Sequence, residues 1–146
     1  MRILFVCTGN TCRSPMAEAL FRDKVQGLPI SVQSAGIAAM EGSSASAHAG
    51  KVLEDRGIIH NHKSQRLRED LIAWADLILT MTRTHKDMIS EWFPHASIKT
   101  YTLKEYVGHQ GDLDIADPFG GSLGTYERSA REIEQALNQL YQKVTK

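Results

Sequence analysis

Short apolar runs alternate along the chain with segments whose apolar residues recur at helical spacing, and this alternation restricts the possible folds. The runs that predict strands lie at 3–6, 30–36, 76–81 and 97–103. The segments that predict helices lie at 15–25, 44–56, 67–75, 83–93 and 122–144. Strands that are separated by helices and are apolar on both sides are typical of parallel sheets. We therefore expect an α/β fold, a single-domain four-stranded parallel sheet with helices on both faces, spanning residues 1–146.

The composition argues against several classes of protein. Seventeen basic residues balance seventeen acidic ones, whereas nucleic-acid-binding proteins usually show a basic excess. No apolar run reaches the roughly 20 residues that a membrane-spanning helix needs. The first residues, Met1–Leu4, lack the layout of a signal peptide. We therefore expect a cytoplasmic monomer that binds neither nucleic acid nor a membrane.

Both cysteines of the chain lie in one loop between the first predicted strand and the helix after it. The loop reads CTGNTCRS, residues 7–14. Backbone N–H groups of a tight loop that leads into a helix bind anions. Gly9 and Asn10 tolerate the positive φ that such a curled loop needs, and Arg13 can bind two phosphate oxygens at once. The loop is therefore predicted to bind phosphate.

Cys7 lies at the base of this predicted loop, where the same positive field favours the thiolate and makes it a nucleophile. Ser14 is a candidate N-cap for a helix starting at Pro15, and its hydroxyl could also donate to the thiolate. A zinc site would need more ligands, a thioredoxin-like site would need Cys-x-x-Cys, and a nucleotide P-loop would need a lysine. A cysteine at a strand end can also simply pack in the core. Five residues separate Cys7 from Arg13, and this spacing favours the nucleophilic site over these alternatives.

The loop resembles the signature of the low-molecular-weight protein tyrosine phosphatase family, which VCTGNTCRSPMAEA at 6–19 matches. The resemblance continues with SAG at 34–36, DLILTM at 76–81 and DPF at 117–119, in the expected order. It implies a four-stranded parallel sheet, a cysteinyl-phosphate intermediate, a phosphorylated protein as substrate, and no metal or other cofactor.

A thiolate that attacks phosphorus needs a proton donor for the leaving group and later a base for water. Asp117 lies in the longest irregular segment, 108–121, before a proline that restricts the local backbone. The family carries its general acid in this Asp-Pro, so the resemblance assigns that role to Asp117. Asp112 and Asp114 are nearby competitors that lack the match.

The remaining site residues are predicted from their position near this loop. Phe119 is expected to form one wall of the cleft and Met40 the opposite wall, while the resemblance suggests that His62 braces the loop. Most of the other histidines are predicted to be surface or packing residues. The predicted catalytic residues are Cys7, Arg13 and Asp117, and the predicted substrate-binding residues are Thr8, Gly9, Asn10, Thr11, Cys12, Ser14, Met40 and Phe119.

Thr11 bears on the choice of substrate. Tyrosine-specific members of the family commonly carry isoleucine there, and a threonine makes the pocket floor smaller and more polar. Phosphoarginine presents a planar guanidino group that Asp117 could bind and whose leaving nitrogen it could protonate. CTGNTCRSP together with DPFGG resembles the bacterial protein-arginine-phosphatase branch. We therefore predict phosphoarginine in proteins as the substrate, with phosphotyrosine as the alternative.

Cys12 has two interpretations. It either packs beneath the loop, or it captures oxidised Cys7 in a reversible disulfide, which we expect partly because family members often pair these positions.

An arsenate reductase shares the loop and the fold but would need further cysteines. A non-catalytic phosphate-binding module would need neither the nucleophile Cys7 nor the acid Asp117.

Overall fold

The computed structural model describes residues 1–146 and contains one parallel sheet of four strands in the order β2-β1-β3-β4. The strands are β1 (Arg2–Cys7), β2 (Ser31–Gly36), β3 (Leu77–Thr80) and β4 (Thr100–Thr102). The helices are α1 (Arg13–Lys24), α2 (Ala47–Asp55), α3 (Glu69–Trp74), α4 (Arg83–Trp92), α5 (Leu103–Tyr106) and α6 (Leu123–Val144), and a 3₁₀ helix spans Pro94–Lys99.

Two apolar clusters hold helices against opposite faces of the sheet. Ile3 and Phe5 of β1 belong to the larger cluster, which also contains the buried residues of α1, α2 and α6. Leu4 and Val6 belong to the smaller cluster, together with buried residues of α3 and α4. Successive side chains of a strand point to opposite faces, so both faces of β1 are covered and the strand is apolar throughout. The predicted four-stranded parallel sheet with helices on both faces is confirmed.

The central position of β1 determines where a ligand can bind. β1 pairs in parallel with β2 on one side and with β3 on the other, and Cys7 lies opposite Gly36 in register. The strand order therefore reverses between β1 and β3, and crevices at such a reversal bind ligands beside the carboxyl ends of the strands. The loop after Cys7 lies at this edge.

None of the helices combines the length and the apolar character needed to cross a membrane.

The start of α1 differs from the prediction. The helix begins at Arg13, two residues earlier than expected, and Cys12 occupies the N-cap position without a side-chain cap. The prediction of Ser14 as the N-cap was wrong. The reason is that the Ser14 hydroxyl lies 2.9 Å from Cys7 Sγ and is used inside the loop rather than at the helix end.

The region before α6 also differs in detail. Residues 97–99, predicted to extend the last strand, belong to the 3₁₀ helix that Pro94 begins, which leaves only three residues in β4. The single turn of α5 was not predicted, because one turn is too short to show helical periodicity; Thr102 caps it by accepting from the Glu105 N–H at 3.0 Å. Residues 108–121 contain neither helix nor strand, as predicted.

Two isoleucines test whether α6 is held by the larger cluster. Ile133 of α6 is 0% exposed, whereas Ile59 is 99% exposed. We expect Ile133→Ala to lower the free energy of unfolding by about 2–5 kcal/mol, because it leaves a cavity in the core. Ile59→Ala is the matched control and should change it by less than about 0.5 kcal/mol. Urea unfolding measures both values, and equal effects of the two substitutions would contradict the packing described here.

Candidate active site

A buried asparagine holds the loop between β1 and α1 from its centre. Asn10 has a φ of 56°, the only positive φ outside glycine in this chain. Its side-chain oxygen accepts from the Gln65 backbone N–H at 3.0 Å. Its amide nitrogen donates to Ser14 Oγ and to Ser34 Oγ, both at 2.9 Å. All hydrogen-bonding groups of this side chain therefore serve to fix the loop.

The backbone carbonyl of Asn10 is held from the segment before α3. It accepts from Ser64 Oγ at 2.6 Å and from His62 Nε2 at 2.7 Å. The contact between His62 and the loop agrees with the prediction that this histidine braces it. Ser64 was not predicted, and no motif in the sequence distinguishes it from other serines.

Gly36 at the end of β2 is a further residue that the loop requires. A Cβ atom at this position would lie 2.7 Å from the Thr8 carbonyl oxygen and 2.8 Å from the Asn10 backbone nitrogen. Real Cβ atoms do not approach backbone atoms so closely, so any side chain at Gly36 would displace the loop. From the sequence, this glycine was recognisable only as the end of a predicted strand and as part of the SAG match at 34–36.

Cys7 lies buried at the base of the loop. Its Sγ is 2.9 Å from Ser14 Oγ, and the side chain is 2% exposed. Ser14 Oγ accepts from the Asn10 amide, so its own hydrogen can donate to the sulfur at 2.9 Å or to the Ala35 carbonyl, which lies farther away at 3.5 Å. The hydroxyl of Ser14 is therefore placed to stabilise a thiolate.

Arg13 is buried in the first turn of α1, and one of its buried nitrogens has no hydrogen-bond partner. Its Nη1 donates to the Ile115 carbonyl at 3.0 Å, and its Nη2 lies 3.6 Å from Asp117 Oδ2. The Nε–H is buried and has no partner. A buried charged donor without a partner is energetically costly, and an anion in the adjacent cleft would satisfy it.

The loop, Arg13 and the segment 108–121 enclose a cleft of about 210 Å³. Eight predicted site residues line it: Cys7, Thr8, Gly9, Thr11, Cys12, Arg13, Asp117 and Phe119. Asn10 and Ser14 are also in the predicted set, but they lie buried behind the loop rather than in the lining. Met40 is not brought into the lining; it is 76% exposed on the segment after β2.

Asp117 is held at the edge of the cleft by the backbone around it. Its Oδ1 accepts from the Phe119 N–H at 3.1 Å, and the preceding carbonyl of Ala116 accepts from Ser129 Oγ of α6 at 3.0 Å. The competitor Asp114 accepts instead from the Arg83 N–H at 2.8 Å and is absent from the lining. The structure therefore brings Asp117, rather than Asp114, into the cleft that Cys7 lines.

His85 is a polar neighbour of the site that was not singled out among the histidines predicted to be surface or packing residues. It lies in the first turn of α4, and its Nε2 is 2.8 Å from Thr8 Oγ1. Burial and the nearby Arg13 charge lower the pKa of His85 to about 4, against a smaller opposing effect of Asp114 and Asp117. The imidazole is therefore neutral at pH 7. The contact with Thr8 distinguishes His85 from the other histidines, and the sequence does not reveal that contact.

Cys12 lies beneath the loop as a free thiol, and Cys7 is free as well. Cys12 Sγ is 3.3 Å from the Tyr126 hydroxyl and donates to Ser46 Oγ at 3.7 Å. Burial and, second, the hydrogen bond with Cys12 raise the pKa of Tyr126 above its ordinary value. No three His, Cys, Asp or Glu side chains are grouped so that they could hold a metal ion.

This arrangement can carry out a nucleophilic substitution at phosphorus. The curled loop and Arg13 provide donors for the oxygens of a phosphoryl group, with the thiol of Cys7 at the base of the cleft. The carboxyl group of Asp117 lines the same cleft and could exchange a proton with a leaving group.

Comparison with known proteins gives a consistent result. The family model described as low molecular weight phosphotyrosine protein phosphatase matches residues 2–146. A protein-arginine-phosphatase of Geobacillus stearothermophilus is 52% identical over 98% of this chain and 95% of its own. One of Bacillus subtilis strain 168 is 47% identical over 100% and 98%. The solved structure of a YwlE arginine phosphatase, a C7S mutant with a phosphorylated active-site serine, superposes with a TM-score of 0.95 at 45% identity, covering 100% and 97% of the two chains.

Two glycines test the close approach of β2 to the loop. We expect Gly36→Ala to weaken the binding of inorganic phosphate and to lower the free energy of unfolding by about 1–3 kcal/mol, because the new methyl group overlaps the loop backbone. Gly50 of α2 has no atom closer than 3.9 Å to such a methyl group. Gly50→Ala should therefore leave phosphate binding unchanged and raise the free energy of unfolding by roughly 0.5–1 kcal/mol. Unaltered phosphate binding in Gly36→Ala would contradict the described contact.

The pKa of His85 predicts a dependence of stability on pH. Unfolding restores the ordinary pKa of 6.5, so between pH 6.5 and about 4 the unfolded chain binds a proton at His85 that the folded chain does not. The free energy of unfolding therefore falls as the pH is lowered through this range. Urea unfolding at several pH values should show a smaller fall in His85→Gln than in the unmodified protein. Identical pH dependence of the two proteins would be inconsistent with a buried neutral imidazole.

Proposed function

Because the chain belongs to the low molecular weight phosphotyrosine protein phosphatase family, we propose that it hydrolyses phosphoarginine in proteins through a cysteinyl-phosphate intermediate. Cys7 is the nucleophile, Arg13 binds the phosphoryl group and Asp117 is the general acid and base. The observation that carries this assignment is the single cleft that these three side chains share, beside an unpaired Nε–H of Arg13.

The first step transfers the phosphoryl group to the enzyme. The thiolate of Cys7 forms an S–P bond while the bond from phosphorus to the leaving nitrogen breaks, and Asp117 gives that nitrogen its proton. Arg13 and the backbone N–H groups of the loop bind the phosphoryl oxygens and spread the developing charge. The Ser14 hydroxyl, 2.9 Å from Sγ, stabilises the thiolate before attack and the sulfur when it leaves.

The second step releases phosphate. Asp117, now a carboxylate, takes a proton from a water molecule whose oxygen attacks phosphorus, and the S–P bond breaks to regenerate the Cys7 thiolate. Burial of Cys7 beneath the loop allows the water to approach only from the cleft side, where Asp117 lies. The same carboxyl group thus serves both steps.

The preference for phosphoarginine depends on the polar side of the cleft. Thr11 lines the cleft, and its hydroxyl makes only one contact, a weak one of 3.6 Å with Cys12 Sγ. The hydroxyl is therefore free to hydrogen-bond a guanidino N–H, whereas an aryl ring offers it no partner. The carbonyl oxygen of the protonated Asp117 carboxyl group could accept a second guanidino N–H. The names of the two relatives at 52% and 47% identity support this choice.

The alternative substrate is phosphotyrosine, by the same mechanism. The name of the family supports it, and the exposed ring of Phe119 at the cleft could pack against an aryl group. Arsenate reduction is disfavoured because Cys7 and Cys12 are the only cysteines. A binding module without activity would leave the shared placement of Cys7 and Asp117 unexplained.

We also propose that residues 1–146 form one catalytic domain, which acts as a monomer in the cytoplasm. The one sheet whose two faces are covered by the clusters supports a single unit. Two free thiols within one active-site loop suit a reducing compartment.

The substrate assignment predicts a specific reversal. We expect kcat/KM for a peptide carrying phosphoarginine to exceed that for the same peptide carrying phosphotyrosine. Thr11→Ile should erase or reverse the preference, because it replaces the free hydroxyl with an apolar group. Thr11→Val is the matched control for shape, since it removes the hydroxyl and keeps the branched side chain; it should lose the preference without gaining bulk. A preference for phosphotyrosine in the unmodified protein would overturn the substrate and leave the cysteine mechanism intact.

A reversible disulfide between Cys7 and Cys12 is proposed as protection of the nucleophile. Peroxide oxidises Cys7 to a sulfenic acid, which the Cys12 thiolate attacks with loss of water. The Cys12 sulfur now contacts the hydroxyl groups of Tyr126, Ser46 and Thr11, and the disulfide would replace these contacts.

The protection is tested by oxidation and recovery. After peroxide treatment, dithiothreitol should restore activity in the unmodified protein. In Cys12→Ser recovery should be largely lost, because the sulfenic acid proceeds to irreversible acids. Activity before oxidation is the internal control for each protein, and equal recovery in both would refute the protective role.

A further inference from the structure

His85 and Thr8 form a polar contact that the proposed mechanism does not use. His85 Nε2 lies 2.8 Å from Thr8 Oγ1, and the histidine is 5% exposed. Thr8 lines the phosphate cleft, whereas His85 is not part of the lining. The histidine therefore reaches the cleft only through the hydroxyl of Thr8.

The other ring nitrogen of His85 shows which way this hydrogen bond runs. Nδ1 is buried and has no partner. A buried N–H without an acceptor is rarer and more costly than a buried acceptor without a donor. The proton is thus assigned to Nε2, which donates to Thr8 Oγ1 and leaves Nδ1 with a free lone pair.

Burial, helped by the Arg13 charge, keeps the imidazole neutral and so preserves this assignment. The charged groups that face it are Arg13 from α1 and Asp114 and Asp117 from the segment 108–121. Burial and Arg13 together outweigh the two carboxylates. At neutral pH the ring therefore carries one proton rather than two.

The direction of the bond determines what Thr8 offers to a ligand. With one lone pair of Oγ1 occupied by the His85 N–H, the hydroxyl hydrogen of Thr8 cannot point back at the histidine. Oγ1 has no other hydrogen-bond partner in the structure. The hydrogen is left free on a side chain that lines the cleft.

We propose that His85 is a positioning residue that directs the Thr8 hydroxyl hydrogen into the cleft, where it donates to a phosphoryl oxygen of the substrate. This role rests on the proposed function only in taking the cleft to bind a phosphoryl group. It adds a side-chain donor to Arg13 and to the backbone donors of the loop. It also explains why a histidine that titrates far below neutral pH is buried against the loop.

A double-mutant cycle on phosphate binding tests the proposal. The variants are Thr8→Val, which removes the hydroxyl, His85→Leu, which removes the donor to it, and their combination. Isothermal titration with inorganic phosphate should show Kd about tenfold higher for each single variant, the usual loss for one hydrogen bond to a charged group. The double variant should lose no more than Thr8→Val alone, because His85 acts on phosphate only through the Thr8 hydroxyl, which Thr8→Val has already removed.

His85→Gln is the conservative control. The glutamine amide can place a donor close to the position of Nε2, so it should bind phosphate within about threefold of the unmodified protein. A histidine that only fills space would give the opposite pattern. In that case His85→Leu would weaken phosphate binding further on the Thr8→Val background, or His85→Gln would bind phosphate as weakly as His85→Leu. Either result would overturn the proposal.

A direct observation covers the case in which a variant fails to fold. The nitrogen NMR spectrum of the unmodified protein should show a protonated Nε2 and an unprotonated Nδ1 for His85 at pH 7. The reverse tautomer would overturn the proposal without any mutation. Both experiments use inorganic phosphate or no ligand. Failure to hydrolyse phosphoarginine would therefore refute the proposed substrate, while the cycle and the spectrum would still decide the role of His85.

Discussion

The hydrogen bonds of Asn10 are the interaction on which the rest of the site depends. A residue with a side chain at φ 56° is unfavourable by itself, and here three side-chain hydrogen bonds and two to its carbonyl oppose that cost. They tie the loop to β2 and to the segment before α3, both of which come later in the chain. The loop can therefore reach its curled shape only once the sheet has formed, and the cleft is a product of the whole fold.

Arg13 carries this order from the loop to the proposed acid. Its Nη1 holds the Ile115 carbonyl and its Nη2 lies near Asp117, so one side chain faces the phosphate cleft and also fixes the segment that contains the carboxyl group. α6 supports the same segment through Ser129. The proposed nucleophile and the proposed acid are thus positioned by shared contacts. Because the cleft positions them before substrate arrives, less conformational entropy remains to be lost during the reaction.

The sequence was most informative where local rules dominate. Apolar periodicity predicted the order of strands and helices, and the spacing around Cys7 predicted the loop, because both depend on residues close together in the chain. Contacts between distant segments were not predictable in this way. Gly36 and His85 matter through atoms of the loop that are 26 and more positions away, and Met40 is exposed to solvent instead of lining the cleft. The short β4 reflects a 3₁₀ helix that periodicity does not reveal.

The most direct test of the account is whether phosphate passes through residue 7. We would incubate Cys7→Ser with a peptide carrying phosphoarginine and locate phosphate in the protein by mass spectrometry. Phosphoserine is stable to hydrolysis, whereas S-phosphocysteine is not. The cysteinyl-phosphate mechanism therefore predicts one phosphate per chain on the introduced serine and no sustained turnover. An unmodified serine in a variant that still hydrolyses the peptide would contradict the cysteinyl-phosphate mechanism.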